Sequence, residues 1–201
     1  AVVEEYARES GLDIQLVGDN PEVFNVIARF GLIRGCRTHV AFVVDDAKAG
    51  DVAADEAIGY WGQKIVFTAQ DMGLNTCWCA LCSRRKSRAV VAPGKKIRLI
   101  IAVGHGKTQG FSRKTKSVEA LSSVECAKAP AWFAAAMEAA QLAPTAMNNQ
   151  NFKIALLSDG KTVRIDAPQS GLNVIDEGIV RCNFEIAANE AGADWRWERD
   201  I

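Results

Sequence analysis

Apolar positions along the chain switch between helical and strand spacing. From about Asp55, Ile58, Trp61, Ile65, Ala69 and Met72 follow one another at intervals of 3, 4, 4 and 3, which puts them on one stripe of a long helix. Gly73 stands where such a helix takes its C-terminal cap. Ile175, Ile179, Cys182 and Ile186, at intervals of 4, 3 and 4, predict a last helix ended by Gly192. Asn20-Pro21 reads as a helix start with an asparagine cap, running to about Phe30 and closed by Gly31. Val2 to Arg8 reads as the end of a helix, and Pro130 opens another that ends at Ala143. Between these lie strand-like runs at Asp13 to Val17, Thr38 to Val44 and Ile97 to Val103, the last apolar enough to be buried on both faces. Lys153 to Leu157 and Thr162 to Ile165 flank Ser158-Asp159-Gly160-Lys161, a hairpin signal. Trp195-Arg196-Trp197 reads as a final extended segment. Leu74 to Ala80 leads into a basic stretch, Arg84 to Arg88, and Gly104 to Pro130 shows no strong periodicity and reads as a crossover. No short repeat stands out.

Helices interleaved with strands, some paired in hairpins, predict an α+β fold in which helices cover a sheet. The 201 residues are 49% hydrophobic, enough for a sizeable core in one domain or two closely packed halves. Lysine plus arginine equals aspartate plus glutamate, 24 each, so charge gives no reason to expect nucleic acid or an anionic membrane as partner. No apolar run reaches the roughly 20 residues of a membrane helix, and the acidic start Ala1-Val2-Val3-Glu4-Glu5 is unlike a signal peptide. Six cysteines without a secretory signal read as reduced thiols of a cytoplasmic protein.

Four strings could carry chemistry. Ala143-Pro144-Thr145-Ala146-Met147-Asn148-Asn149-Gln150-Asn151-Phe152 follows a helix and precedes a strand. It offers short polar side chains and backbone amides on a loop, where ligands are held, against the plainer reading of a helix end and turn. Gly73-Leu74-Asn75-Thr76-Cys77-Trp78 joins the long helix to an extended segment. Its N–H groups could bond the edge of a flat ring beside Trp78, or its apolar residues could simply pack. In Arg113-Lys114-Thr115-Lys116 two lysines alternate, as a phosphate clamp or as a solvated basic loop. Cys77-x-Cys79-x-x-Cys82 groups three thiols, but structural zinc sites use four ligands and no second pair exists. Gly104-His105-Gly106-Lys107-Thr108 ends like a P-loop, yet Ile101 occupies the place of the first glycine and no helix is signalled after it. With only His39 and His105 available, no nucleophilic triad can be assembled.

Read together, these strings resemble the nitroreductase-like flavoproteins of the TM nitroreductase type. The matching residues are Gly59-Tyr60-Trp61-Gly62-Gln63-Lys64, Gly73 to Trp78, Ile100 to Gly106 with Thr108-Gln109-Gly110, and Lys114-Thr115-Lys116. Trp132-Phe133, Ala143 to Phe152, and Asp176-Glu177-Gly178-Ile179-Val180 with Phe184-Glu185 complete them, in the family's order. The resemblance implies a single-chain pseudo-dimer with an FMN site between its halves: residues 1–110 as the first half, 111–130 as a basic crossover and 131–201 as the second. By the same likeness Lys114 and Lys116 match the basic residues at the phosphate end. Asn75, Thr76, Cys77 and Trp78 match the segment alongside the isoalloxazine. Pro144, Thr145, Ala146 and Asn148 match the loop from the other half, supported by Gln150. Trp78 and Phe152 would wall the acceptor pocket. The family's opening helix with an Arg-x-Ser-x-Arg phosphate motif has no match before Asp13. If it is absent from the protein, FMN binding should be weak, short of about two or three charge-assisted bonds at roughly 1.5–3 kcal/mol each.

The activity so implied is FMN-dependent oxidation of NADH or NADPH with electron transfer to a nitroaromatic, quinone or similar small acceptor. No side-chain acid or base and no metal is required by it, and the chain would work as a monomer or homodimer. Two other readings stay open at this point: a flavin-binding module without turnover, for storage or sensing, and a thiolate metal or redox site at Cys77, Cys79 and Cys82.

Overall fold

The computed structural model describes residues 1–25 and 33–199, so the expected helix end at Phe30 and Gly31 lies outside the described residues. The secondary structure is mixed α+β, as expected, but among the described residues it is spread over two sheets instead of one. The chain divides into two compact units, residues 1–49 with 64–112, and 50–63 with 113–201. No described helix is long and apolar enough to cross a membrane.

The first unit opens with α1 (Val2–Ser10), closed by Gly11 in the left-handed region, and β1 (Asp13–Val17). Its sheet continues with β2 (Thr38–Asp45), β3 (Asn75–Cys79) and β4 (Lys95–Gly104). All pairings are antiparallel in the order β1-β2-β4-β3, which leaves β3 on an edge. The β2/β4 ladder carries a register shift at Phe42/Val43. Residues Leu99 to Ala102 are buried at successive positions, so both faces of β4 are covered, as its apolar run predicted. One face holds a cluster of Val23, Phe24, Ala41, Cys79, Ile100 and Ala102.

Asn20 corrects an expectation. The described part of the expected helix opens as a 3₁₀ turn, Pro21–Phe24, and the Asn20 side chain caps none of its N–H groups. The buried amide instead donates to Glu22 Oε2 and Lys86 O and accepts from Arg88 N–H at 2.8 Å. It ties the basic stretch to the start of the chain.

The helix α2 (Val52–Asp71) starts in the second unit and ends in the first. Of the predicted stripe, Ile58, Ile65 and Ala69 are buried and Met72 is exposed. The second unit holds β5 (Lys153–Leu156) and β6 (Thr162–Asp166), an antiparallel hairpin, and β7 (Arg196–Trp197), parallel to β6. Within the expected featureless crossover a short helix, α3 (Val118–Leu121), forms because Ser117 Oγ accepts from Ala120 N–H. Then come α4 (Ala131–Gln141) and α5 (Leu172–Glu190). Phe133, Ala136, Met137 and Ala140 of α4 and Ile175, Ile179, Val180 and Phe184 of α5 build the core of this unit.

In the second unit, α2 and α5 touch backbone to backbone. A Cβ on Gly59 would overlap the Ile175 carbonyl, and a Cβ on Gly178 would overlap the Glu56 carbonyl. One sequence separation relates Gly59 to Gly178, Glu56 to Ile175 and Gly73 to Gly192. The two helices thus meet reciprocally, a repeat that side-chain identity along the sequence does not reveal. Beside this crossing Arg181, Glu56 and Glu177, each 2% exposed or less, form a buried ionic cluster. Arg199 closes it with 2.7 and 3.0 Å contacts to the two carboxylates.

Candidate functional site

Each unit presents one of the segments singled out above. In the first, Gly73 takes φ 73° and the Leu74 N–H returns to Ala69 O at 2.8 Å, a glycine-dependent helix stop that sends the chain straight into β3. Asn75 accepts from Gly106 N–H at 2.7 Å and donates to Thr108 O at 3.2 Å. Its side chain therefore shapes the loop after β4, and a Cβ at Gly106 would stand 2.7 Å from Asn75 Oδ1. No helix follows that P-loop-like string. Thr76 is half-buried. Trp78 lies parallel to Phe42 with ring centroids 6.4 Å apart, and its enclosed Nε1 has no hydrogen-bond partner among the described residues.

Cys77 is exposed, whereas Cys79, two residues along the same strand, is 2% exposed. The Cys79 thiol donates to the Cys77 carbonyl at 3.2 Å, and the Cys77 thiol to the Trp78 carbonyl at 3.6 Å. Interaction with the neighbouring Cys79 side chain brings the Cys77 thiol down to about 7, while the same interaction and burial push Cys79 up. Cys82 donates to Cys79 O at 3.4 Å, and all six thiols are free. Among the described residues no three Cys, His, Asp or Glu side chains gather as a metal site.

In the second unit, the loop after α4 is held in an uncommon backbone path. Met147, Asn148 and Gln150 adopt φ 54°, 55° and 46°, a region that L-residues with side chains occupy at a cost. Hydrogen bonds over-determine it. The Thr145 carbonyl accepts from Asn148 N–H at 2.9 Å and its hydroxyl from Gln150 N–H at 3.0 Å. Asp176, on α5, accepts the Ala146 N–H with both oxygens at 2.9 and 3.0 Å. Burial raises this carboxyl to about 6, partly opposed by that bond.

The loop is also fastened to the segment Arg113 to Lys116. Arg113 donates to Asn148 Oδ1 at 2.7 Å and to Ala143 O at 2.9 Å. Asn148 donates to Lys114 O at 2.8 Å. The buried Gln150 accepts from Lys116 N–H at 2.7 Å, and its carbonyl accepts from Lys116 Nζ at 2.8 Å. Lys114, Lys116, Asn148 and Gln150 therefore share one bonded assembly within this unit. Pro144, Thr145 and Ala146 are half-buried in it, and Phe152 is buried just beyond it. Lys114 and Lys116 are exposed, with one Lys116 donor already directed at the loop.

Sequence reasoning did not single out Arg113 or Asp176 as individual site residues. An aspartate directly after Ile175, near the start of a helix, was the available sign. Nothing in the sequence indicated that its oxygens reach back to Ala146.

Over residues 1–188 the chain matches the family described as Putative TM nitroreductase. Among solved structures, the crystal structure of a putative nitroreductase from Thermotoga maritima aligns with a TM-score of 0.67 at 19% identity. The alignment covers 94% of this chain and 71% of that one, a likeness of fold. An FMN-dependent nitroreductase from Clostridium difficile aligns with a TM-score of 0.41 at 13% identity, over 56% of this chain and 78% of that one, too slight to carry an argument. No curated protein matches the chain.

Proposed function

The chain belongs to the Putative TM nitroreductase family, and from that premise we propose that it is an FMN-dependent oxidoreductase taking electrons from NADH or NADPH and passing them to a nitroaromatic, quinone or similar small acceptor. The observation that carries the proposal is the cross-bonded loop Ala143 to Phe152. Three side-chain-bearing residues are kept in left-handed backbone there by Thr145, Asp176, Arg113 and Lys116. Strain over-determined in this way is a mark of ligand-holding sites.

The residues present fit a flavin mononucleotide. Lys114 and Lys116 supply cations for its phosphate, and the loop residues Pro144, Thr145, Ala146 and Asn148 would lie against it, with Gln150 fixing their path. In the first unit, Asn75, Thr76, Cys77 and Trp78 are proposed as ring contacts on the family likeness alone. When bound, FMN supplies reversible two-electron chemistry at N5. The protein's part is to bind and to orient it. The reciprocal Gly59/Gly178 crossing supports the further reading that one chain is a pseudo-dimer of two related halves.

The purified full chain should take up FMN with a flavin visible spectrum. NADH or NADPH should bleach it anaerobically, and a nitroaromatic or quinone should restore it. A protein that stays colourless with added FMN overturns the proposal. Bound FMN that neither reductant bleaches assigns a storage or sensing module instead.

A further inference from the structure

We propose that Cys77 and Cys79 form a peroxide-responsive dithiol on the edge strand β3, in which Cys77 is oxidised first and Cys79 closes a reversible disulfide with it. Cys77 is exposed, whereas Cys79, two residues along on the same face of the strand, is buried and directs its S–H at the Cys77 carbonyl at 3.2 Å. Of the two, Cys77 is the more easily ionised, lying near neutrality beside the Cys79 side chain.

The chemistry balances. The Cys77 thiolate attacks one peroxide oxygen; an S–O bond forms, the O–O bond breaks, and hydroxide leaves to become water. Cys79 sulfur then attacks the Cys77 sulfenic acid; an S–S bond forms, the S–O bond breaks, the Cys79 proton is lost, and a second water leaves. Two thiols and one hydrogen peroxide give one disulfide and two waters.

The strand makes this bond strained and therefore labile. Two steps of about 3.3–3.4 Å put alternate Cα atoms roughly 6.6–6.8 Å apart, at the upper limit of about 4.4–6.8 Å for a disulfide. Strand β3 must pucker, and as an edge strand it breaks one ladder only, that with β4. A strained disulfide has a more oxidising potential and is reduced readily, as a switch requires. The neighbouring thiols are poor competitors. Cys36 and Cys82 are half-buried and burial pushes both up, so neither competes with the exposed Cys77 for the first oxidation.

The proposal stands apart from the flavin reading, because its readout is the mass of the protein's own thiols. The full chain is treated with equimolar hydrogen peroxide, alkylated with iodoacetamide and digested with trypsin without reductant. The peptide from Ile65 to Arg84 contains Cys77, Cys79 and Cys82. It should lose two hydrogens, carry alkylated Cys82, and regain both free thiols with dithiothreitol. In Cys79→Ser, and in Cys79→Ala should the serine variant fold poorly, dimedone should trap a sulfenic acid at Cys77. A wild-type protein in which Cys77 is trapped by dimedone with no disulfide to Cys79, or in which the disulfide maps to Cys36 or Cys82, overturns it. So does a Cys77 that peroxide leaves free.

Discussion

Gly59 and Gly178 each occupy the point where the other's helix comes closest. A methyl group on Gly59 would overlap the carbonyl of Ile175 and lie 3.0 Å from Ile179 N; one on Gly178 would overlap the carbonyl of Glu56 and lie 2.8 Å from Tyr60 N. Both obstacles are backbone, which cannot swing aside as a side chain can. An alanine replacing a mid-helix glycine ordinarily stabilises by about 0.5–1 kcal/mol. Here Gly59→Ala and Gly178→Ala should each destabilise by about 1–3 kcal/mol or more, read as a fall in the urea midpoint. A rise in that midpoint for either variant would mean that the helices do not meet at these glycines.

Gln150 is 2% exposed and connects three segments. Its side chain accepts from Lys116 N–H and donates to Gln141 O at 3.2 Å, while its own N–H is held by Thr145. Gln150→Ala leaves a Lys116 amide without its acceptor, at a cost of about 1–3 kcal/mol. Hydrogen exchange should quicken at the amides of Lys116 and Asn148 more than at those of α5. Unchanged exchange at Lys116 would remove Gln150 as the organiser of the loop.

Much of this arrangement was legible from residue order, for reasons that differ by element. Helix α5 and the hairpin β5–β6 were readable because each is specified locally, by i, i+3, i+4 spacing or by an Asp-Gly turn. Helix α3 was missed because four residues carry no period, and only the Ser117 cap marks it. The division into two sheets was not readable, since strand pairing depends on partners remote in sequence: β7 joins β6 across the whole of α5. The loop Ala143 to Phe152 stood out from its composition. Its left-handed residues did not, because Met147 and Gln150 are side chains that rarely adopt such backbone and are kept there by Asp176, Arg113 and Lys116.

Arg181 is the buried cation that lets Glu56 and Glu177 share the helix crossing. Its Nε lies 3.0 Å from Glu56 Oε1, its NH1 donates to Arg199 O at 2.8 Å, and its guanidinium sits 4.6 Å from the Trp197 ring. Arg181→Met should cost about 3–5 kcal/mol at neutral pH, because two buried carboxylates then share the single guanidinium of Arg199. Adding Glu56→Gln should recover part of that loss, which a double-mutant cycle of urea midpoints measures. Strictly additive losses would show that the two side chains do not interact.

Asp176 should impose a pH dependence on stability. Its folded value, about 6, lies above the usual aspartate value of about 3.9. For a raised value the stabilising form is the protonated one. The contribution is complete below about pH 4 and is lost as pH rises through about 6. Asp176→Asn keeps an acceptor for Ala146 N–H but does not titrate. The wild-type-minus-variant difference in unfolding free energy should fall between pH 4 and pH 7 and be flat above it. A flat difference throughout would place the wild-type carboxyl at its ordinary value.

Lys114 offers the sharpest check on the proposed phosphate contact. Its carbonyl is already used by Asn148 Nδ2 at 2.8 Å, which fixes the backbone, while its exposed side chain extends into solvent. Truncation should therefore remove a charge without disturbing the loop. Lys114→Ala should weaken FMN binding by about 1.5–3 kcal/mol, roughly ten-fold or more, and Lys116→Ala should weaken it further through the loss of the Gln150 carbonyl contact as well. Riboflavin shares the ring and ribityl chain but lacks the phosphate, so its affinity should be unchanged in Lys114→Ala. Fluorescence titrations of both ligands against both proteins make the comparison. Equal losses for FMN and riboflavin would show that Lys114 acts on the fold of the loop and not on the phosphate.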